Sequence, residues 1–399
     1  MNLGPEMGRA IMATEDLKSG GQPSQSVSHV TGQPAKKRLS WNPLGGTSAD
    51  VERRMRHQTR RRFLQAMAGL GASGAGLALL AGCSRLNTRV APAVGEPPLE
   101  TTTLKLDHRP SICVAPQYVA EELLRSEGFT DIRYIRKAGP KEIEPALASG
   151  EIDIAMHFAA PNVIRIDAGD QITILAGGHI GCFELFGAGP VGSIRDLQGK
   201  TVAVTELGGP THVFLSSMAA YVGLNPAQDI TWITLPAAES MQRLEAGTID
   251  AFLGFPPEPQ LLRARGVGHS VVNSALDKPW SHYFCCMVTG NREFVQKHPV
   301  ATKRALRAIL KAADLCAEQP EQAARSLVDK GYAAQYDFAL QLMKELPYGR
   351  WRELDPEDTV RFYSLRLQEV GMIKSTPDKI ISQGTNWRFL NELKQELKA

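Results

Sequence analysis

The run T-E-L-G-G-P-T-H at residues 205–212 holds the densest set of residues suited to ligand chemistry in the 399-residue chain. Gly208 and Gly209 lack the side chains that keep backbone away from a ligand, and Pro210 suits the first position of a helix, where its missing N–H is not needed. The N–H groups near Thr211 and His212 are then left without partners and predict an anion site. Other segments leave β-prone runs in the same way, at residues 108–113, 157–159, 178–182 and 255–258. They contribute His108, Arg109, Ser111, Cys113, His157, Phe158, His179, Cys182, Phe255 and Glu258 to the candidate ligand-binding set. His108 and Arg109 offer positive charge, whereas Glu184, Glu206 and Glu258 could receive an amine or a ring N–H. Phe158, Phe255 and Tyr283 are candidates for flat apolar walls. These residue types predict a small, polar ligand without fixing its charge.

Catalytic and metal signatures are missing from the sequence. It contains no G-x-x-x-x-G-K-[ST], G-x-S-x-G, H-E-x-x-H or C-x-x-C motif, so no catalytic residue, cofactor or metal site is expected. The six cysteines, Cys83, Cys113, Cys182, Cys285, Cys286 and Cys316, show no zinc-type pairing of spacings. If Cys83 is modified, five remain, and five cannot all pair; buried thiols acting as small hydrophobes are the simplest expectation. Residues 1–82 hold 11 of the 45 Lys+Arg but only 5 of the 42 Asp+Glu, which leaves the rest of the chain at net −3. That body lacks the basic footprint that a phosphate backbone requires, so nucleic acid is not an expected partner.

The loops are positioned by a plan written twice. Leu147, Gly150, Ile152 and Asp153 reappear 97 positions later as Leu244, Gly247, Ile249 and Asp250. The same offset aligns residues 104–107 with 201–204, and an offset of 98 aligns I-R-Y-I at 132–135 with I-T-W-I at 230–233. Short β-branched runs alternating with helical segments predict parallel βαβ sheets, one per repeat. Gly150 and Gly247 are expected to close helices at positions of positive φ. Asp153 and Asp250 are expected to be framework residues of the two lobes rather than ligand contacts. From residue 292 onward the chain reads as helical, with helices over 299–316, 320–330, 335–346 and 356–370 covering the first lobe. The predicted fold class is therefore α/β: two doubly wound lobes joined by a hinge of two crossings, with C-terminal helices packed on the first lobe. The expected boundaries are 101–185 and 285–399 for lobe 1 and 186–284 for lobe 2.

Upstream of this body the sequence reads as an address followed by a tether. Residues 59–65, T-R-R-R-F-L-Q, precede a charge-free stretch at 66–80, as in the n- and h-regions of a signal peptide. Fifteen residues of helix rise only about 22 Å, short of a bilayer's roughly 30 Å hydrocarbon core. Arg60 and Arg61, followed by Phe63 and Leu64, resemble a twin-arginine export signal, with a Sec-type signal as the alternative. Leu80, Ala81, Gly82 and Cys83 resemble a bacterial lipobox, which implies lipidation of Cys83 and a lipid anchor in the membrane. Residues 83–100 read as a solvated tether. Residues 1–54 have the composition of a disordered extension or of sequence upstream of a misplaced start, with residues 55–82 forming a compact signal.

The ordered segments A-P-Q-Y-V-A (115–120), A-L-A-S-G-E-I-D-I-A (146–155), G-G-H-I-G-C (177–182), D-L-Q-G-K-T-V-A-V (196–204) and P-V-A-T-K-R-A-L (299–306) together resemble the nitrate, taurine and alkanesulfonate class of ABC-transporter solute-binding proteins. The resemblance spans residues 101–399. It implies a periplasmic binding protein type II fold, a small-molecule ligand held between the lobes, and a sulfonate or carboxylate gripped near residues 208–212. It also implies a permease and its ATPase as partners, a monomeric state, and a location on the outer face of the membrane. Enzymes that build the thiamine pyrimidine precursor share this fold family, and H-Y-F-C-C-M at 282–287 is similar to part of their cysteine cluster. A ligand-loaded partner of a membrane receptor is the remaining alternative.

Overall fold

A computed structural model describes residues 95–109 and 111–397 of the chain. The export signal at Arg60 and Arg61, the lipidation site Cys83 and the extension before them lie outside the described residues. Strands β1 (Thr103–His108), β2 (Asp131–Arg136), β3 (Ile154–Phe158) and β4 (Ile172–Ile180) are followed by β5 (Glu184–Gly187), β6 (Lys200–Val204), β7 (Ile230–Thr234), β8 (Ala251–Gly254), β9 (His269–Asn273) and β10 (Phe284–Asn291). They form two five-stranded sheets, ordered β2-β1-β3-β10-β4 and β7-β6-β8-β5-β9. The strands buried on both faces, such as β3, β4, β8 and β10, are nearly continuous apolar or small-residue runs, as strands covered on two sides must be. The edge strands β2 and β7 are half-exposed and carry charge or hydroxyls.

Both sheets are mixed rather than purely parallel. In the first sheet β10 runs antiparallel to β3 and β4, and in the second β5 runs antiparallel to β8 and β9. Each reversed strand has just arrived from the other lobe and enters its new sheet from the opposite end. Since β5 already belongs to the second sheet, the outward crossing falls at residues 181–183, slightly before the expected boundary, and the return lies between β9 and β10.

The repeated aspartates have equivalent structural jobs. Asp153 Oδ2 accepts from the Lys105 N–H at 2.8 Å, and Asp250 Oδ2 accepts from the Thr201 N–H at 2.8 Å. In each lobe the aspartate's own N–H returns a bond to the same residue's carbonyl at 2.9 Å, tying the first strand to the third. Gly150 and Gly247, at φ 77° and 67°, make the left-handed turn that leads into each aspartate.

The helices are α1 (Ala115–Val119), α2 (Glu121–Ser126), α3 (Ile143–Ala148), α4 (Ala159–Asp167), α5 (Pro210–Tyr221), α6 (Ala237–Glu245) and α7 (Glu258–Arg265). After β10 come α8 (Arg292–Lys297), α9 (Pro299–Glu318), α10 (Pro320–Asp329), α11 (Tyr336–Glu345), α12 (Pro356–Glu369), α13 (Pro377–Gly384) and α14 (Arg388–Glu396). Pro299 opens α9, whose Ala305, Leu306, Ile309, Leu310 and Ala313 fill the core beside α1, as their spacing requires. The C-terminal helices do more than cover lobe 1, because α12 also packs on α5 of lobe 2 through Tyr363 and Phe214, with centroids 6.1 Å apart. The largest hydrophobic core consequently runs through the boundary between the lobes. Among the described residues no helix is long and apolar enough to cross a membrane.

Candidate functional site

The carboxyl end of β1 carries a buried charge network. Arg109 and Asp107 are sealed from solvent, with Nε 3.5 Å from Oδ2. Nη1 of Arg109 donates to His157 Nδ1 at 2.7 Å, which places the imidazole proton on Nε2, where it is donated to Glu144 Oε1 at 2.9 Å. Gln117 ties the same strands together, donating to the Asp107 carbonyl at 2.7 Å and accepting from the Met156 N–H at 2.9 Å. Arg109 and His157, both expected ligand contacts, are thus occupied by protein partners. Arg109 follows β1 and His157 lies within β3, and burial commits the Arg109 charge to Asp107 and the His157 ring to Arg109 and Glu144.

The glycine turn after β6 forms as expected, with different use of its groups. Gly208 adopts φ 74°, which favours glycine, whereas Gly209 is extended at φ −78°. The space beside Gly209 is filled by Glu206, whose Cγ would lie 2.4 Å from an added Cβ. His212 Nδ1 accepts from the Gly208 N–H at 3.1 Å and its ring meets Trp232 edge-on at 4.7 Å, so this histidine closes its own turn. Burial holds its imidazolium pKa down. Thr211, by contrast, is buried with an Oγ1 that has no partner, at the N-terminus of α5.

Contacts across the cleft join the lobes at several points. Lys141 of lobe 1 donates to the Leu207 carbonyl at 3.2 Å and lies 3.7 Å from Glu206. Phe158 meets Phe255 edge-on at 5.7 Å, and Phe183 stacks on Phe214 at 4.4 Å. Arg263 of α7 pairs with Glu184 and reaches Glu345 of α11 at 2.7 Å. Glu184 is therefore a buried, paired group. Glu258 Oε2 accepts from the Phe255 N–H at 3.2 Å, and burial raises its carboxyl pKa to about 7.

A cavity of about 690 Å³ opens at the carboxyl ends of β1, β2 and β8, where an open α/β sheet holds ligands. His108, Arg136 and Lys137 face it from lobe 1, Pro257 and Leu261 from lobe 2, and Tyr332 and Phe338 from the C-terminal helices. No Asp or Glu is among its lining residues. Lys137 is held by Glu151 at 2.7 Å, whereas Arg136 is exposed and has no salt bridge among the described residues. Burial, and then the nearby Arg136, lower the pKa of His108. Of the expected contacts, His108 faces this cavity directly and Arg109 contributes to its wall. Arg136 and Lys137 were missed, although they sit at the end of a strand like the residues that were chosen. The contribution of residues 331–338 had no sequence signal, because it depends on how C-terminal helices fold back over lobe 1.

The remaining candidates separate. Tyr283 stacks on Phe362 at 3.9 Å, a packing contact of α12, and does not join the cleft residues. His179 lies inside β4 rather than in a loop, since that strand continues to Ile180. It gathers with Cys113 and Cys286, while Ser111 Oγ lies 3.1 Å from Cys113 Sγ and Cys182 borders a second cavity behind the crossing. Among the described residues, all five cysteines are buried and free.

Two lobes of this topology, with strand ends facing each other across a cleft, define a protein of the periplasmic binding protein fold. The chain belongs to the NMT1-like family, whose model matches residues 97–329. It is 26% identical over 344 residues to the nitrate/nitrite binding protein NrtA of Nostoc sp. PCC 7120, covering 75% of this chain and 77% of that protein. It is 24% identical over 267 residues to the yeast 4-amino-5-hydroxymethyl-2-methylpyrimidine phosphate synthase THI13, covering 63% and 74%. The structure of periplasmic NrtA from Synechocystis PCC 6803 superposes with a TM-score of 0.62 at 19% identity, covering 75% of this chain and 90% of that one.

Proposed function

We propose that this protein is the solute-binding component of an ABC importer and that it takes an organic anion, a carboxylate or sulfonate with an apolar body. The observation that carries the reading is the cavity between the lobes: its lining includes His108, Arg136 and Lys137, no acidic residue, and apolar surface from Leu261, Tyr332 and Phe338. An anion at Arg136 would meet a charge without a competing protein partner, and hydrogen bonds to charged groups are the strong ones in such sites. About 690 Å³ exceeds what a bare triatomic or tetra-atomic oxyanion fills, so the apolar wall selects for carbon attached to the charge. The unpartnered Thr211 hydroxyl at the start of α5 is not among the residues that line this cavity, so the reading rests on the lobe 1 cations. Export, anchoring through Cys83 and delivery to a permease with its ATPase complete the reading, supported by the lipobox-like segment and by the likeness to NrtA.

A thermal-shift screen tests it, using nitrate, bicarbonate, alkanesulfonates, aromatic carboxylates and amines of matched size. The expected result is stabilisation by organic anions, with Arg136→Gln weakening their binding roughly 10-fold or more by loss of one charged hydrogen bond. Stabilisation by amines alone, or full affinity in Arg136→Gln, would overturn the assignment. Labelled palmitate uptake that persists in Cys83→Ala would remove the anchor.

A further inference from the structure

We propose that Cys113, His179 and Cys286 form a buried site for a thiophilic d10 cation, Zn²⁺ or Cu⁺, at the base of the two crossings between the lobes. The ligating atoms of these three residues lie within 4.8 Å of one another, and all three side chains are buried. A tetrahedral ion about 2.3 Å from sulfur and about 2.0–2.1 Å from nitrogen brings such atoms to roughly 3.5–3.8 Å, a contraction that rotamer adjustment can supply. His179 is prepared for the role. Its Nδ1 donates to the Ile180 carbonyl at 3.0 Å, which leaves the Nε2 lone pair for a ligand, and Nε2 is buried with no hydrogen-bond partner. A backbone carbonyl that fixes the tautomer of a histidine in this way is the usual outer support of a metal ligand.

The backbone has been bent to assemble the cluster. Cys286 pairs directly with His179 across β10 and β4, and the register shifts on both sides of Cys286. In a regular strand Cys285 and Cys286 would point to opposite faces, whereas an irregularity re-aims one of them. The three residues supply three of the four ligands that a tetrahedral ion takes. Cys182 adopts φ 98°, a conformation costly for a residue with a side chain, at the segment where the chain leaves lobe 1. Thiolate and imidazole donors select zinc or copper over calcium or magnesium. An ion here would join the turn after β1, β4, β10 and the outward crossing, and so fix the pivot of the two lobes.

The test uses the full chain, reduced, stripped with chelator and kept anaerobic. It is titrated separately with Zn²⁺, with Cu⁺, and with Co²⁺ as a spectroscopic probe. The expected results are one ion per chain, a thiolate-to-cobalt charge-transfer band, and a rise in Tm with Zn²⁺ or Cu⁺, whichever binds more tightly. Cys286→Ser and His179→Gln should each weaken binding at least 10-fold, while Cys316→Ser, a buried thiol outside the cluster, should leave it unchanged. The wild-type cobalt spectrum needs no variant, so it decides even if Cys286→Ser fails to fold. Absence of stoichiometric binding, a cobalt spectrum without thiolate character, equal affinity in His179→Gln, or a disulfide among these cysteines in the protein as isolated would overturn the site.

Discussion

The two lobes share a topology and an aspartate lock, yet they differ where β1 and β6 end. Lobe 1 places Asp107 and Arg109 there, sealed from solvent, while the matching positions in lobe 2 are Val204 and the partly exposed Glu206. Lobe 1 also merges into the main core under the C-terminal helices, whereas the outer part of lobe 2 has its own small cluster around Phe186, Leu244, Phe252 and Leu262. The comparison teaches that duplication preserved the frame and left the strand ends free to diverge. One lobe buries a charged pair at this end and the other does not.

Breaking the buried pair should have the largest effect. Arg109→Met leaves Asp107 uncompensated and should cost about 3–5 kcal/mol in urea denaturation, whereas Asp107→Val combined with Arg109→Met, which removes both buried charges, should recover much of that loss. A single-variant cost under about 1 kcal/mol would show that the buried pair does not hold this end of lobe 1.

Next in size is a pH effect confined to the lobe 2 side of the cleft. Burial raises the Glu258 carboxyl pKa from 4.5 to about 7, so the fold favours its protonated form. Stability from this group is fully present below the unfolded value and is lost as pH rises through about 7. The wild type should therefore lose up to about 3 kcal/mol relative to Glu258→Gln between pH 4.5 and 8, measured by denaturation at each pH. Parallel pH profiles would contradict it.

The aspartate lock gives a smaller and more direct comparison. Asp153 has 8% of its side chain exposed against 35% for Asp250, so Asp153→Ala should cost about 2 kcal/mol and Asp250→Ala about 1 kcal/mol in equilibrium unfolding. Equal costs would mean that burial does not set the strength of the lock. Smallest of all, Gly208→Ala should cost about 1 kcal/mol through its positive φ, with little change in the far-UV spectrum.

Much of this architecture was legible because it repeats. The 97-residue echo placed Asp153 and Asp250 in framework roles, and periodicity located α9, α10, α11 and α12 to within a few residues of their ends. The antiparallel direction of β5 and β10 was not legible, since strand direction depends on which lobe the chain has just left. Candidate contacts were chosen from strand ends, which singled out His108 at the cavity but could not show that Arg109 and His157 already had partners. Arg136 was missed although it ends β2, and Tyr283 was included although its ring belongs to Phe362. The cysteine cluster was invisible to spacing, because its members come from three separate segments brought together by the sheet.

The contacts of Lys141 with Glu206 and Leu207, of Arg263 with Glu345, and of Phe158 with Phe255 are those that opening of the cleft would break. Small-angle scattering during titration with the tightest-binding organic anion tests this most directly. Closure over the cavity between the lobes predicts a radius of gyration that falls with ligand and saturates with occupancy, and that falls only at much higher ligand concentration in Arg136→Gln. A radius unchanged at full occupancy would contradict it.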